Sequence, residues 1–305
     1  MTRTTTPFTF HSTTHDVLDG VDLTGQRALI TGASSGLGIE TARALARAGA
    51  DVTLAVRNTQ AGADVAAQLR AQTGNENIHV AALDLSDQTS IHHFLRHWTG
   101  PLHMLINNAG IMALPELQRT KEGWEMQFAT NHLGHFTLTH GLHAALAQAQ
   151  GARVVAVASS GHLMSPVVFD DLHYRFRPYD PWTAYGQSKT ANILLAVEAT
   201  RRWADDGITA NALNPGAIAT NLQKHTGGLR TPPERQKTVE QGAATSVLLA
   251  ASPLLAGVSG RYFEDLNESP LVHERPADYT GLAPYAIDPD NARRLWDVST
   301  ELTRA

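Results

Sequence analysis

A phenol and an ammonium stand four residues apart in Tyr185-Gly-Gln-Ser-Lys189. On a helix they would share one face, one turn from each other. A phenol is a poor acid or base at neutral pH, because its ordinary pKa is about 10. A neighbouring ammonium favours the phenolate and lowers that value. Such a pair can move a proton at a carbonyl or alcohol oxygen. The same spacing also occurs on solvated helix faces that do no chemistry. The chemical reading therefore needs a ligand-binding loop and a second donor from elsewhere in the chain.

The helix is supplied by Ala191, Ile193, Leu194, Leu195, Val197 and Ala199, with Arg201 and Arg202 closing the run; it is expected to start near Tyr185. Far upstream, a strand pattern over Arg27-Ala-Leu-Ile30 runs into Thr31-Gly32-Ala33-Ser34-Ser35-Gly36-Leu37-Gly38. A helix pattern follows at Ile39, Ala42, Leu45 and Ala46, stopped by Gly49. Glycines between a strand and a helix let the backbone approach a pyrophosphate, and the amides at the helix start bind its charge. The next strand, Val52 to Val56, ends in Arg57-Asn58. A carboxylate there would suit a free ribose 2′-hydroxyl, while an arginine suits a 2′-phosphate. Arg57 therefore favours NADP(H) over NAD(H), the plain alternative being a surface arginine at a strand end.

Further strands are predicted at 78–83, 103–106, 153–157, 208–213 and 260–263, with helices at 59–72, 87–98, 121–150, 239–251 and 289–303. Ser86 is the expected N-cap of the 87–98 helix. The third strand ends in Asp84-Leu85. The fourth ends in Asn107-Asn108-Ala109-Gly110, small and amide residues that suit a wall against a flat ligand. The fifth leads to Ala158-Ser159-Ser160, and the sixth to Asn214-Pro215-Gly216. Phe169, Tyr174, Phe176, Tyr179 and Trp182, in the link over 163–184, suggest an apolar pocket wall or packing on the body of the protein. Residues 218–238 are polar, contain Gly227-Gly228, and read as a mobile flap.

Strands alternating with helices imply an α/β fold: a single doubly wound Rossmann-type parallel sheet of about seven strands with helices on both faces. Residues 1–22 read as an N-terminal arm and 23–305 as one catalytic domain. With 42% hydrophobic and 17% charged residues, the 305-residue chain can bury a sizeable core. The absence of cysteine excludes disulfides, thiolate metal sites and a cysteine nucleophile. A net charge of −5, with no basic cluster, argues against a nucleic-acid surface. No run approaches the roughly 18 apolar residues of a membrane span. The start lacks the apolar core of a secretion signal, so a cytoplasmic location is expected. His132, His135, His140 and His143 fall on one predicted helix without a carboxylate cluster, so no metal is expected.

With these residues placed, the chain resembles a classical short-chain dehydrogenase/reductase over roughly residues 22–265, because its motifs occur jointly and in family order. Within that family it is similar to the retinol dehydrogenase and WW-domain oxidoreductase branch. The supporting residues are Asn131-His132-Leu133-Gly134-His135-Phe136, Tyr185-x-x-Ser188-Lys189-x-x-Asn192 and the stretch from Ala283 to Trp296. The resemblance implies that Tyr185 is the general acid/base and that Lys189 binds the nicotinamide ribose and lowers the tyrosine pKa. It implies that Ser159, rather than Ser160, bonds the substrate oxygen, and that Asn131 holds a proton-relay water. Gly32, Ser34, Ser35, Gly36, Leu37, Gly38, Arg57, Asp84, Leu85, Asn108, Ala109, Gly110, Pro215 and Gly216 become the other cofactor contacts. The implied activity is NADP(H)-dependent interconversion of a carbonyl and an alcohol on a mostly apolar small molecule. The interval from Ser159 to Tyr185 is longer than in compact members, and Ala158 stands where a serine is common.

The family also implies a homodimer or homotetramer, to which Leu138, Leu142, Leu146, Ile193 and Val197 could contribute unless they face the sheet. A non-catalytic NADP-binding regulator is the competing reading. An epimerase or dehydratase usually carries a different glycine spacing.

Overall fold

The computed structural model describes residues 3–304. The strands are β1 (Arg27–Thr31), β2 (Asp51–Val56), β3 (Ile78–Ala82), β4 (Met104–Asn107), β5 (Arg153–Val157), β6 (Thr209–Asn214), β7 (Tyr262–Glu264) and β8 (Asn267–Glu268). They form one sheet in the order β3-β2-β1-β4-β5-β6-β7-β8. β1 to β7 run parallel, and the two-residue β8 returns antiparallel on β7. The strand order reverses between β1 and β4. In such sheets the crevice at the carboxyl ends of the reversing strands receives the ligand.

The helices are α1 (Thr14–Leu18), α2 (Gly36–Arg47), α3 (Thr59–Thr73), α4 (Gln88–His97), α5 (Met126–Phe128), α6 (Gly134–Gly141), α7 (His143–Gln148), α8 (Pro181–Trp203), α9 (Val239–Ala251) and α10 (Pro289–Thr303). The pleat sends alternate side chains to opposite faces. Ala28 and Ile30 of β1 enter one core with Leu45 of α2 and Leu248 of α9. Leu29, between them, enters the other core with Phe94 of α4 and Ile193 of α8. Both faces of the sheet are therefore covered, which matches its continuous apolar strands.

Local chemistry moves several boundaries. α4 is capped by Asp87, whose carboxylate accepts the Thr89 amide at 2.9 Å, and not by Ser86. Ser86 instead turns back to Asp84, donating through its amide at 2.9 Å and its hydroxyl at 2.6 Å. α8 begins one turn before Tyr185, because Asp180 accepts the Thr183 amide at 2.7 Å and Pro181 occupies the first turn.

The expected helix over 121–150 is α5, a π turn over Ala129–Leu133, then α6 and α7. Residues 120–124 form a turn around Gly123, at φ +83°. The helix starts only where the Glu125 carboxylate accepts the amides of Gln127 and Phe128 at 2.9 and 2.6 Å. Apolar periodicity alone does not reveal such a cap.

The segment before β1 is docked. The Thr4 amide donates to the Glu268 carboxylate at 2.7 Å and the Glu268 amide to the Thr4 carbonyl at 3.0 Å, Thr6 donates to Asn267 at 2.8 Å, and α1 carries a capping box at Thr13. Leu138, Leu142, Leu146 and Ile193, nominated for a subunit interface, are buried in the second core, and Val197 packs inside the chain as well. α10 joins the same core: its Trp296 lies edge-on to Phe136 and Trp203, with ring centres 5.1 and 5.3 Å apart.

Candidate active site

The turn after β1 is built on glycines at its closest approaches. Gly32 has φ +67°, and a Cβ there would lie 2.9 Å from Ala109. A Cβ on Gly38 would lie 2.5 Å from the Gly32 carbonyl oxygen. Only glycine permits both approaches. Ser35 is the N-cap of α2, yet its side chain makes no cap bond. The first amides of α2 are thus left for an anion, and the helix dipole favours one there. This cradle fits a dinucleotide pyrophosphate.

The Thr31 hydroxyl joins this turn to the wall after β4. It accepts the amides of Asn108 and Ala109, each at 2.9 Å, while the Asn108 side chain donates to the Thr31 carbonyl at 2.8 Å. His135 Nδ1 faces the Asn131 carbonyl at 2.8 Å and must carry the proton. Its Nε2, 2.9 Å from Thr31 Oγ1, therefore receives the hydroxyl proton. Burial pulls the His135 pKa down to about 4, so the ring stays neutral. His132 is likewise buried, pulled down to about 3, and bonded to Ser299 at 2.9 Å. Among the described residues no cluster of three metal-ligating side chains occurs.

Asn131 lies in the π turn. Its side-chain oxygen accepts the Ile111 amide at 2.9 Å; its side-chain nitrogen donates to the Ile111 carbonyl and to Ser188 Oγ, both at 2.9 Å. The side chain is thereby committed to holding the loop after β4 against α8. Asn131 stands behind the cleft wall rather than in it.

Ser159 follows β5 and Tyr185 lies on α8. Burial raises the phenol to about 12, and a hydrogen bond with Ser159 works in the opposite direction. Ser159 is the serine that acts on the phenol in this arrangement, while Ser160 also lines the cleft. Lys189 is buried one turn on; its Nζ donates to the Val157 carbonyl at 2.9 Å and sits 5.6 Å from the Tyr185 ring centre. Burial brings the ammonium down to about 8. The expectation is a phenol lowered by Lys189; in this arrangement burial dominates and the phenol is raised.

These groups line one cleft of about 780 Å³. Its wall includes Gly32, Ser34, Ser35, Gly36, Leu37, Arg57, Asp84, Leu85, Asn108, Ala109, Gly110, Ser159, Tyr185, Lys189, Pro215 and Gly216. Of the catalytic and cofactor-binding residues nominated from sequence, Gly38 and Asn131 are not in its lining. Arg57 is exposed at the end of β2. The aromatic link behaves differently from a pocket wall. Tyr174 and Tyr179 pack on each other, Tyr179 bonds the Leu114 carbonyl at 3.0 Å, Phe169 lies under Arg294, and Phe176 points to solvent. Only Trp182 reaches the cleft. Ile111, Met112, Met164, Leu222 and Leu229 add apolar lining that the sequence did not single out. They occupy loops and short 3-10 turns, where no periodicity marks a ligand-facing position.

Comparison with known proteins agrees with this geometry. The family model of the short chain dehydrogenases matches residues 26–228. The chain belongs to the short-chain dehydrogenases. A Streptomyces lividans protein named "Probable oxidoreductase" is 54% identical over 298 residues, covering 93% of this chain and all of that one. Retinol dehydrogenase 12 of Mus musculus is 38% identical over 289 residues, covering 92% of this chain and 87% of the relative. Among solved structures, an uncharacterised protein from Mycobacterium paratuberculosis superposes with a TM-score of 0.75 at 34% identity, covering 96% of this chain and 97% of that one. A gluconate 5-dehydrogenase from Burkholderia cenocepacia, solved with NADP and tartrate, gives 0.64 at 25% identity, covering 82% and 97%. This short-chain dehydrogenase is thus an oxidoreductase acting between alcohols and carbonyls, with a retinol dehydrogenase-like sequence.

Proposed function

We propose that this chain is an NADP(H)-dependent oxidoreductase that interconverts a carbonyl and an alcohol on a mostly apolar small molecule, with Tyr185 as general acid/base. The observation that carries this reading is the meeting of Tyr185, Ser159 and Lys189 in one cleft with the glycine turn after β1. The turn from Gly32 to Gly38 would hold the pyrophosphate, Arg57 the 2′-phosphate, Asp84 and Leu85 the adenine, and Asn108 to Gly110 the flat rings. Lys189 would bind the nicotinamide ribose, with Pro215 and Gly216 beside the nicotinamide. When bound, the cofactor supplies or accepts the hydride.

The chain's own residues handle the oxygen. Ser159 and Tyr185 both line the cleft, and their hydroxyls would serve the oxygen on which charge develops under reduction. A phenol raised to about 12 keeps its proton at neutral pH and is available to donate it. In the oxidative direction Tyr185 must lose that proton, so burial makes oxidation rise with pH while reduction stays flat through neutrality. Ile111, Met112, Met164 and Trp182 offer the substrate an apolar wall, and methionines adapt to irregular shapes. Residues 218–238 lie over the same cleft through Thr220, Leu222, Leu229 and Arg230, which suits a flap closing on substrate.

The test is Tyr185→Phe, assayed by NADPH consumption against a varied panel of carbonyls. The variant retains the ring and deletes the acid. Its rate should fall by at least about 100-fold, the lower end for general acid catalysis. NADPH affinity should change little. Turnover within a few-fold of wild type would remove Tyr185 from its role. NADPH binding with no turnover of any carbonyl by the wild type would favour the regulator instead.

A further inference from the structure

We propose that His162 is a positioning residue: from behind the cleft it sets the Ser159 hydroxyl toward Tyr185, using a ring anchored to the segment that leads into α10. It depends on the roles proposed above for Ser159 and Tyr185. Ser159 is the N-cap of a short 3-10 turn over Ser160–Met164, and its Oγ accepts the Gly161 amide at 3.0 Å. The Ser159 carbonyl takes two bonds from one residue, the His162 amide at 3.1 Å and His162 Nδ1 at 2.8 Å. Nδ1 faces a carbonyl and must carry the proton. Nε2 is then an acceptor, and the Ala283 amide donates to it at 3.2 Å. Both ring nitrogens are satisfied by one neutral tautomer, and burial keeps the ring neutral by bringing its pKa down to about 4.

The ring has no other freedom. It is fully buried and stands edge-on to Tyr262 of β7, with ring centres 5.0 Å apart. The His162 carbonyl accepts the Tyr285 hydroxyl at 2.7 Å and Thr190 of α8 at 3.2 Å. The turn it clamps is also the floor under Tyr185: a Cβ on Gly161 would lie 2.8 Å from Tyr185 Cε1 and 3.3 Å from Ser159 Oγ. Ser159, Ser160 and Gly161 line the cleft, whereas His162 does not. A rotation of this turn must therefore move the serine hydroxyl and the phenol's packing surface together. A buried phenylalanine could fill this volume without holding either bond.

Two variants separate the two nitrogens. In His162→Asn the short amide can still donate to the Ser159 carbonyl but cannot reach Ala283. In His162→Gln the longer amide can accept from Ala283 but leaves the Ser159 carbonyl without the Nδ1 donor. With the fastest carbonyl of the panel, His162→Gln should lose about tenfold in kcat, the scale of one hydrogen bond, while His162→Asn stays within about threefold of wild type. The rise of alcohol oxidation with pH should move upward in His162→Gln, because Ser159 then favours the phenolate less. In the protein without cofactor, amide hydrogen exchange over 160–164 should quicken in His162→Gln. NADPH binding, followed by fluorescence, should change little in either variant and certifies the fold.

The deciding measurement places His162→Gln in a Ser159→Ala background. If His162 acts through the serine hydroxyl, its loss adds little once that hydroxyl is gone. An equal loss in both backgrounds overturns the proposal, and so does wild-type kcat in His162→Gln. Wild-type kcat in Ser159→Ala alone would instead remove the serine from the functional reading, and this inference with it.

Discussion

Replacing Lys189 by methionine should stabilise the protein while abolishing its cofactor chemistry. The Lys189 ammonium is buried and brought from 10.5 to about 8 by desolvation. At about 1.4 kcal/mol per pH decade, that shift is a cost of about 3 kcal/mol in keeping the charge at neutral pH. The ammonium also donates one bond, to the Val157 carbonyl at 2.9 Å, worth about 1 kcal/mol. Methionine has a similar reach and carries no charge. The carbonyl is not orphaned, because Asn192 donates to it at 3.2 Å. Lys189→Met should therefore gain about 2 kcal/mol at pH 7.

The gain has a signature in pH. Below pH 8 both folded and unfolded chains carry the proton on Lys189, so the full cost is present. Between about 8 and 10.5 the folded wild type loses the proton while the unfolded chain retains it. The unfolded state then binds more protons, and wild-type stability rises with pH. Methionine has no such rise, so its advantage should shrink across that window. Urea unfolding of both proteins without cofactor, at pH 7 and at about pH 9.5, measures this directly. NADPH affinity and turnover should both collapse in the variant. The reasoning fails if Lys189→Met is destabilised at pH 7, or if its advantage is the same at both pH values.

Two further outcomes are expected. Arg57→Ala should weaken NADPH by about tenfold or more, the scale of a charge-assisted contact to the 2′-phosphate, and leave NADH nearly unchanged; equal wild-type affinity for the two cofactors would contradict the assignment. Cleavage of residues 218–238 by a protease at limiting concentration should slow when NADPH and a carbonyl substrate are both present, and equal cutting with and without them would argue against closure.

Much of the fold was legible because parallel strands buried on both faces leave near-continuous apolar runs between helix-period segments. The glycine turn was legible for the same reason: Gly32, Gly36 and Gly38 sit where a strand becomes a helix. Tyr185 and Lys189 were legible because four residues is one helical turn wherever the helix begins. What the residue order could not convey depends on partners distant in the chain. The glutamate cap that starts α5 and the π turn that holds Asn131 are invisible to periodicity. The burial of Leu138, Leu142, Leu146 and Ile193 in one core with Leu29 of β1 and Val154 of β5 likewise depends on elements far apart in the chain. The direction of the Tyr185 shift is the clearest case. Proximity to Lys189 suggested a lowered phenol, but burial is a property of the folded body, and it raises the phenol to about 12. The sequence by itself determined which groups share a helix face and which turn is built on glycines. Only the tertiary structure decided which of those groups are dry, because desolvation is settled by everything packed around them.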